Sequence, residues 1–458
     1  MFREKLQAVF APFWKSERVS PARVIILGFL LLILLGTALL MLPFSTKARG
    51  GASFSDALFT ATSATCVTGL VVRDTASCWS GFGQLVILLL IQVGGMGVVT
   101  MAVAIFIFSG KRIGLKQRWV MQESISAPQV GGIVRMTGMI LKVTLAVELA
   151  GAALLALSFC RSMNVAKGLW YAVFHSISAF CNAGFDLMGI KEPCSSLTAF
   201  TGDAIVNITL VFIILIGGIG FATWSDVREH GLRIHRYSQQ SKIILVTSLV
   251  LVLGGFCFMF FYEFALPQWA GLSLGQRTLA ALFQTVTPRT AGFNTVDLNA
   301  MSGAGKLVVL CLMLIGGAPG STAGGFKMTT IAVLLLCVRA AYRGRESAEA
   351  FGRRIPDKSI RNAAAVFMLY ILLFVGVGIA ISCIDKVELM PALFEAASAV
   401  ATVGLSLGIT SQLSTVSHLL LILLMFFGRV GGLTLIYAVS TGDGPTGARL
   451  PMGRVTVG

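Results

Sequence analysis

Thr402-Val403-Gly404-Leu405 is a short turn-like stretch, and the chain contains three relatives of it. Set in register, the four segments are Phe59 to Gly69 (FTATSATCVTG), Phe174 to Gly184 (FHSISAFCNAG), Phe283 to Gly292 (FQTVTPRTAG) and Phe394 to Gly404 (FEAASAVATVG). Each opens on Phe, runs through small and hydroxylated residues, and ends on Gly followed by Leu or Phe. The glycines lie 115, 108 and 112 residues apart. One unit is therefore used four times, and a repeat this regular governs the reading of everything else.

A short helix of small residues that ends at glycine leaves its last carbonyls unpaired, and glycine has the backbone freedom to aim them inward. Four such ends around one axis make a ring of oxygens. A ring of that kind can replace the hydration shell of a potassium ion, and helix C-terminal ends add partial negative charge toward it. A single copy would read as an ordinary turn. Four in register, each placed before a hydrophobic span, point to a shared axis.

Composition sets the environment. Of 458 residues, 56% are hydrophobic and 12% charged, which describes a chain that crosses a membrane several times. About eight apolar runs approach the ~20 residues that a spanning helix needs. The net charge of +16 is unevenly spread. With Met1 to Arg23 on one side, that side holds 23 Lys and Arg against 9 Asp and Glu, and the other holds 10 against 10. The positive-inside rule then makes the first side cytoplasmic, with both termini there and the four glycine-ended segments facing out. The excess charge reads as orientation and lipid contact, or as docking of a cytoplasmic partner; a nucleic-acid role does not fit this distribution. The nine cysteines form no CxxC pair and the four histidines are scattered, which leaves no metal or disulfide framework. No cleaved signal peptide is read at the basic leader.

The expected order is span, half-span, span, four times over, in an all-α membrane protein around one pseudo-fourfold pore. The repeats cover 24–110, 137–224, 243–338 and 362–440. A tail (1–23), basic loops (111–136, 225–242, 339–361) and a C-terminal tail (441–458) flank and join them. Glu148, inside the span from Thr137 to Phe159, should face protein or water. Gly94-Gly95-Met96-Gly97 and Gly217-Gly218-Ile219-Gly220 sit at matching places in return spans and read as close helix packing. Arg289 lies just before the third glycine; it is expected either to be pinned off the axis by a partner such as Asp297, or to repel cations directly.

The third return span is the most irregular. Gly316-Gly317-Ala318-Pro319-Gly320-Ser321-Thr322-Ala323-Gly324-Gly325 cannot continue a helix, and broken helices at membrane depth are tolerated where they line a cavity. This stretch, with Lys327 just after it, is a candidate gate beneath the ring, the alternative being a passive kink. Arg429, about 21 Å along the fourth return helix at 1.5 Å per residue, should line the pore or snorkel to headgroups. Lys327 falls one position late for a phosphate-binding loop, and no strand precedes the paired glycines, so nucleotide binding is set aside.

CVTGL at 66–70, FHSISAFCNAGF at 174–185, RTAGFNTVDL at 289–298, ATVGL at 401–405, the 316–327 segment and GRVGGLTL at 428–435 together resemble the Trk/Ktr/HKT superfamily of potassium transporters. The resemblance spans essentially the whole chain. With only the eight spans of the four repeats, and without the two extra N-terminal helices of TrkH, it is nearest to the membrane subunits of bacterial Ktr systems. It implies a K+ selectivity filter of Val67, Thr68, Gly69, Asn182, Ala183, Gly184, Thr290, Ala291, Gly292, Thr402, Val403 and Gly404, with backbone carbonyls as ligands. It implies an intramembrane gate of Gly316, Gly317, Pro319, Gly320, Ser321, Thr322, Gly324 and Gly325, with Lys327 and Arg429 beside it. It further implies a homodimer docked on a KtrA-like nucleotide-binding ring, and uptake stimulated by sodium. Only the fourth repeat spells TVG, so few ion sites should be rigid and selectivity should be moderate. The expected function is gated, channel-like potassium uptake across a bacterial cytoplasmic membrane; the alternative is a proton- or sodium-coupled symporter. A membrane enzyme would need clustered catalytic groups at membrane depth, which the sequence lacks.

Overall fold

The computed structural model describes residues 21–48, 50–98, 100–101, 115–124, 132–189, 194–432 and 434. The N-terminal leader up to residue 20 and the C-terminal tail from 441 lie outside the described residues, as do residues 111–114 and 125–131 of the first basic loop.

Repeat one is built from α1 (Pro21–Leu40), α2 (Phe54–Thr65), a single turn α3 (Thr75–Cys78) and α4 (Gly81–Met96). After α5 (Leu115–Ser124), repeat two comprises α6 (Ile133–Ser162), α7 (Val165–Phe180), α8 (Ala204–Gly218) and α9 (Phe221–His230). Repeat three runs through α10 (Gln239–Phe261), α11 (Leu274–Val286), α12 (Gly303–Leu314) and α13 (Met328–Tyr342). A two-stranded hairpin, β1 (Glu349–Ala350) and β2 (Arg353–Arg354), precedes repeat four: α14 (Asp357–Asp385), α15 (Leu389–Ala401) and α16 (Thr415–Val430).

The first helix of each repeat (α1, α6, α10, α14) is long and apolar enough to span a membrane by itself. Large apolar side chains are exposed along each, including Leu34 and Leu35, Leu145 and Leu149, Leu249 and Leu253, and Met368 and Leu372. In water such stripes would be a liability, but against lipid they are the expected outer surface. The re-entrant helices α2, α7, α11 and α15 are largely buried instead, and they bury Thr, Ser and Ala as well as their leading Phe.

Each return helix begins at a residue whose side chain accepts a backbone N–H in the first turn: Ser80 from Gly83, Asp203 from Val206, Ser302 from Gly305, Ser414 from Ser417. This is ordinary N-capping, which saturates one of the donors left over at a helix start. The return helices then close the molecule. Each packs on the re-entrant helix of the next repeat: α4 on α7, α8 on α11, α12 on α15, and α16 back on α2. For repeats one, two and four the sequence reads as continuous return spans, and here the structure differs; only repeat three is expected to break. Repeats one, two and four break at Gly97 (φ 86°), Gly220 (φ 88°) and Gly431 (φ 92°), and repeat three breaks at the 315–327 segment. Between α8 and α9 the axis turns by 96°.

Candidate functional site

The four Phe-to-Gly segments meet at the axis in one repeated backbone conformation. The residue two before each glycine is left-handed: Val67 (φ 50°), Asn182 (φ 55°), Thr290 (φ 69°) and Thr402 (φ 52°). The glycines follow at φ 92°, 68°, 81° and 92°. Three of the four non-glycine positions are β-branched, for which positive φ is a strained conformation, at about 1–3 kcal/mol each.

What holds that strain is a second repeated feature. The fifth residue of each segment is hydroxylated: Ser63, Ser178, Thr287 and Ser398. The carbonyls of Ser63, Ser178 and Ser398 accept from Thr68, Ala183 and Val403, all at 2.8 Å, and that of Thr287 accepts from Ala291 at 2.9 Å. Their hydroxyls act on the next residues: Ser63 and Ser398 accept from the N–H of Gly69 and Gly404, while Ser178 and Thr287 donate to the carbonyls of Phe185 and Phe293. Repeat three is one residue shorter only after this position.

The glycines touch in closed order. A Cβ on Gly69 would lie 3.0 Å from Gly184 Cα, one on Gly184 2.9 Å from Gly292 Cα, one on Gly292 3.4 Å from Gly404 Cα, and one on Gly404 2.9 Å from Gly69 Cα. The same four Cβ positions meet the carbonyl oxygens of Ala183, Ala291, Val403 and Thr68. No side chain fits in this ring, and what it presents is backbone oxygen. Thr68 Oγ1, Asn182 Oδ1 and Thr402 Oγ1 are buried without a protein partner.

On one side of the ring lies a cavity of about 460 Å³ lined by the four glycines with Asp74, Asp186 and Ser406. Asp186 is outside the spanning segments. Burial pushes its carboxyl up to about 6; the N–H of Met188 and the Ser196 side chain oppose this, and the nearby Asp74 charge reinforces it. The second residue of each segment, at the back of the ring, is polar: Thr60, His175, Gln284 and Glu395. Glu395 Oε1 accepts from Ser406 at 2.9 Å and from Thr410, and His175 Nε2 accepts from the N–H of Leu187 at 3.4 Å. Each of these two pins the chain just outside its own glycine. The sequence analysis did not identify them, though the recurring polar residue after Phe was the available signal.

On the opposite side the 316–325 stretch forms a closed excursion. Ile315 and Phe326 pair as a parallel bridge at its base, and the Gly316 N–H donates to Phe326 O at 3.0 Å. The N–H groups of Ala318 and Thr322 donate to the carbonyls of Gly218 and Gly217, and Phe221 N–H donates to Gly320 O at 2.7 Å. The loop therefore saturates the backbone groups freed where α8 breaks, as a non-aqueous interior requires. Gly324 has no room for a side chain because Thr402 of the ring lies against it.

Arg429 occupies the place in repeat four that Gly95 and Gly218 hold in repeats one and two. Its Nη2 donates to the carbonyls of Gly94 (2.5 Å) and Gly95 (2.6 Å), and its Nη1 to Thr322 O. One side chain of repeat four thereby joins repeats one and three below the ring. A guanidinium at membrane depth costs from about 2.5 kcal/mol to more than 10. Three charge-assisted bonds at about 1.5–3 kcal/mol each offset a large part of that. Lys327 Nζ similarly donates to Ala323 O at 2.7 Å and Gly324 O at 3.3 Å. The snorkelling alternative for Arg429 does not describe this geometry.

Arg289 departs from its expected pairing. Asp297 instead accepts from Asn299 N–H at 2.9 Å. The buried Arg289 guanidinium points outward from the ring, donating to Ser248 Oγ on α10 at 2.7 Å and approaching Met328 Sδ at 4.0 Å. Glu148 is buried as expected and accepts from Gln92 of α4 at 3.3 Å.

The family model described as TrkH, cation transport protein, matches residues 21–442. The Ktr system potassium uptake protein B of Bacillus subtilis is 38% identical, over 97% of this chain and 98% of its own. That of Vibrio alginolyticus is 34% identical over 98% of both. The potassium/sodium uptake protein NtpJ of Enterococcus hirae is 37% identical over 92% and 93%. The crystal structure of the potassium transporter TrkH from Vibrio parahaemolyticus shares the fold at a TM-score of 0.72 and 22% identity, over 93% of this chain and 86% of that one. Fourfold segments, the broken return helices and full-length similarity agree: the chain belongs to the TrkH/Ktr family of cation transport proteins.

Proposed function

We propose that this protein takes up potassium across the membrane through the ring closed by Gly69, Gly184, Gly292 and Gly404. The observation that carries the proposal is the fourfold left-handed turn, with the carbonyls of Thr68, Ala183, Ala291 and Val403 packed against successive glycines. Ions dehydrate onto these oxygens and the flanking carbonyls of Val67, Asn182, Thr290 and Thr402. They then pass down their gradient, with no chemistry on the substrate and hence no enzymatic step. The 316–325 loop is the gate. It lies across the path beneath the ring, locked by Arg429, and opening requires the carbonyls of Gly94, Gly95 and Thr322 to be released together.

The basic face is read as cytoplasmic, in a bacterial cytoplasmic membrane, from the charge asymmetry. A KtrA-like nucleotide-binding ring docks there on a homodimer of this chain, and sodium acts as an activator rather than a cofactor. These parts rest on the likeness to Ktr membrane subunits. The test is potassium flux into liposomes containing only the purified protein, with sodium as competitor, beside Gly404→Ser. Potassium-preferring flux that loses its preference in the variant supports the proposal; equal flux of the two ions through the unmodified protein sinks it. Uptake against a potassium gradient, driven by imposed proton or sodium gradients, would favour the symporter instead.

A further inference from the structure

Between α10, α13 and the β1–β2 hairpin lies a groove of about 570 Å³. Its walls are apolar and open: Val246 is 50%, Val250 62% and Leu335 63% exposed. Its floor at the helix ends is cationic, with Arg339, Arg343 and Arg345 lining it. Arg345 is paired with Glu349 at 2.9 Å, while Arg339 and Arg343 have no carboxylate partner among the described residues.

Length identifies the occupant. α10 begins at Gln239, so Val246 and Val250 lie about 10 and 16 Å inside it, and Leu335 lies about 12 Å inside Arg343. The groove is thus one leaflet deep, about half of a ~30 Å hydrocarbon core. It is hydrocarbon-lined along its length and positive only at its mouth. That is the complement of one anionic lipid: acyl chain between the helices, phosphate on the arginines. A folded protein partner docking on the basic face would meet the arginines but would not reach Val250.

We propose that this groove is a binding site for an anionic phospholipid of the leaflet on the basic side, held by Arg339 and Arg343. The site belongs to the membrane surface of the protein and lies apart from the ring. It does bear on the loop, since α13 starts at Met328, whose N–H donates to Gly317 O. A lipid bridging α10 and α13 braces the helix that carries the loop's exit.

The test is native mass spectrometry of the full-length protein in detergent, titrated with phosphatidylglycerol, phosphatidylcholine or inorganic phosphate. Variants are R339A/R343A, which removes the charge, and L335W, which fills the groove and keeps it. Phosphatidylglycerol should bind in preference to phosphatidylcholine. The double variant should weaken it about thirtyfold, from roughly a factor of five per arginine near an anionic headgroup. L335W should weaken it too, and inorganic phosphate should not compete at equal concentration. Equal phosphatidylglycerol binding by the unmodified protein and the double variant overturns the proposal. So does displacement by free phosphate, or loss of self-association or of a protein partner in R339A/R343A with lipid retention unchanged. Potassium flux is not the readout, so failure here leaves the pore reading untouched, and failure of the pore reading leaves this one standing.

Discussion

At the scale of single residues, the strongest prediction concerns Gly404. At φ 92° and with Thr68 O and Gly69 Cα against any added Cβ, a side chain there must displace a ring carbonyl. Gly404→Ser should therefore lower the potassium-to-sodium permeability ratio toward unity in liposomes while the protein remains folded. Asp186 makes a separate prediction. Its carboxyl is raised to about 6, burial being the main cause. In the fold the neutral form is favoured, so this group's contribution to stability is full below the unfolded value near 4 and is lost as pH rises through 6. Its charge at the mouth follows the opposite course. It is present above pH 6, where it concentrates cations in the cavity, and absent below. Potassium flux at sub-saturating concentration should fall severalfold as the pH on the ring's open side drops from about 7.5 to 5. Asp186→Asn should be low and flat across that range; an unchanged pH profile in the variant would assign the titration elsewhere. The meeting of the four segments was partly legible: Gly69, Gly184, Gly292 and Gly404 come together in one repeated conformation, because a fourfold sequence repeat survives noise at any one copy. The partner of Arg289 was not legible. Proximity in sequence suggested Asp297, whereas the side chain turns outward to Ser248, 41 positions away.

The elements show why a correct motif can be given an incomplete role. Paired glycines in the return spans read as packing sites, and the first of each group does pack. A Cβ on Gly94, Gly217 or Gly428 would meet the carbonyl of Thr65, Phe180 or Val400 at the end of a re-entrant helix. The glycine three positions later has another task, ending the helix at φ 86–92°. An apolar run containing glycines supports either reading, and only tertiary saturation of the freed carbonyls makes the break affordable. Gly220→Ala should then be costly. It puts a Cβ into a glycine-only backbone region, worth about 1–3 kcal/mol, and 2.8 Å from Pro319 O. A thermal midpoint lowered by several degrees, with altered basal flux, is the expected result. The loop itself predicts gain rather than loss. Deleting Gly317 to Gly324, or replacing Arg429 by Ala, should raise partner-independent flux about tenfold or more if the loop is the gate proposed above, since Arg429 alone ties its Thr322 carbonyl to those of Gly94 and Gly95. Arg429→Lys should lie between, because an ammonium lacks the planar fork that reaches two repeats at once.

At the scale of the whole molecule, the ring has no independent existence in any one repeat. Each return helix packs on the next re-entrant helix, and the fourth returns to the first, so the oxygens are brought to one axis only when the chain is closed. The symmetry is broken in two places: repeat three lacks one residue and carries the loop, and repeat four has Arg429 where repeats one and two have glycine. In the proposed function an ion on the ring touches all four repeats and binds only the closed arrangement. Linkage then ties potassium to global stability: above its dissociation constant, each tenfold rise in potassium adds about 1.4 kcal/mol to unfolding. The thermal midpoint of the purified protein should climb as potassium chloride replaces choline chloride at constant ionic strength, and less steeply with sodium chloride. Gly404→Ser should start lower and lose the difference between the two ions. If potassium and sodium raise the midpoint equally in the unmodified protein, the ring does not discriminate in its resting conformation, and selectivity would have to arise during passage.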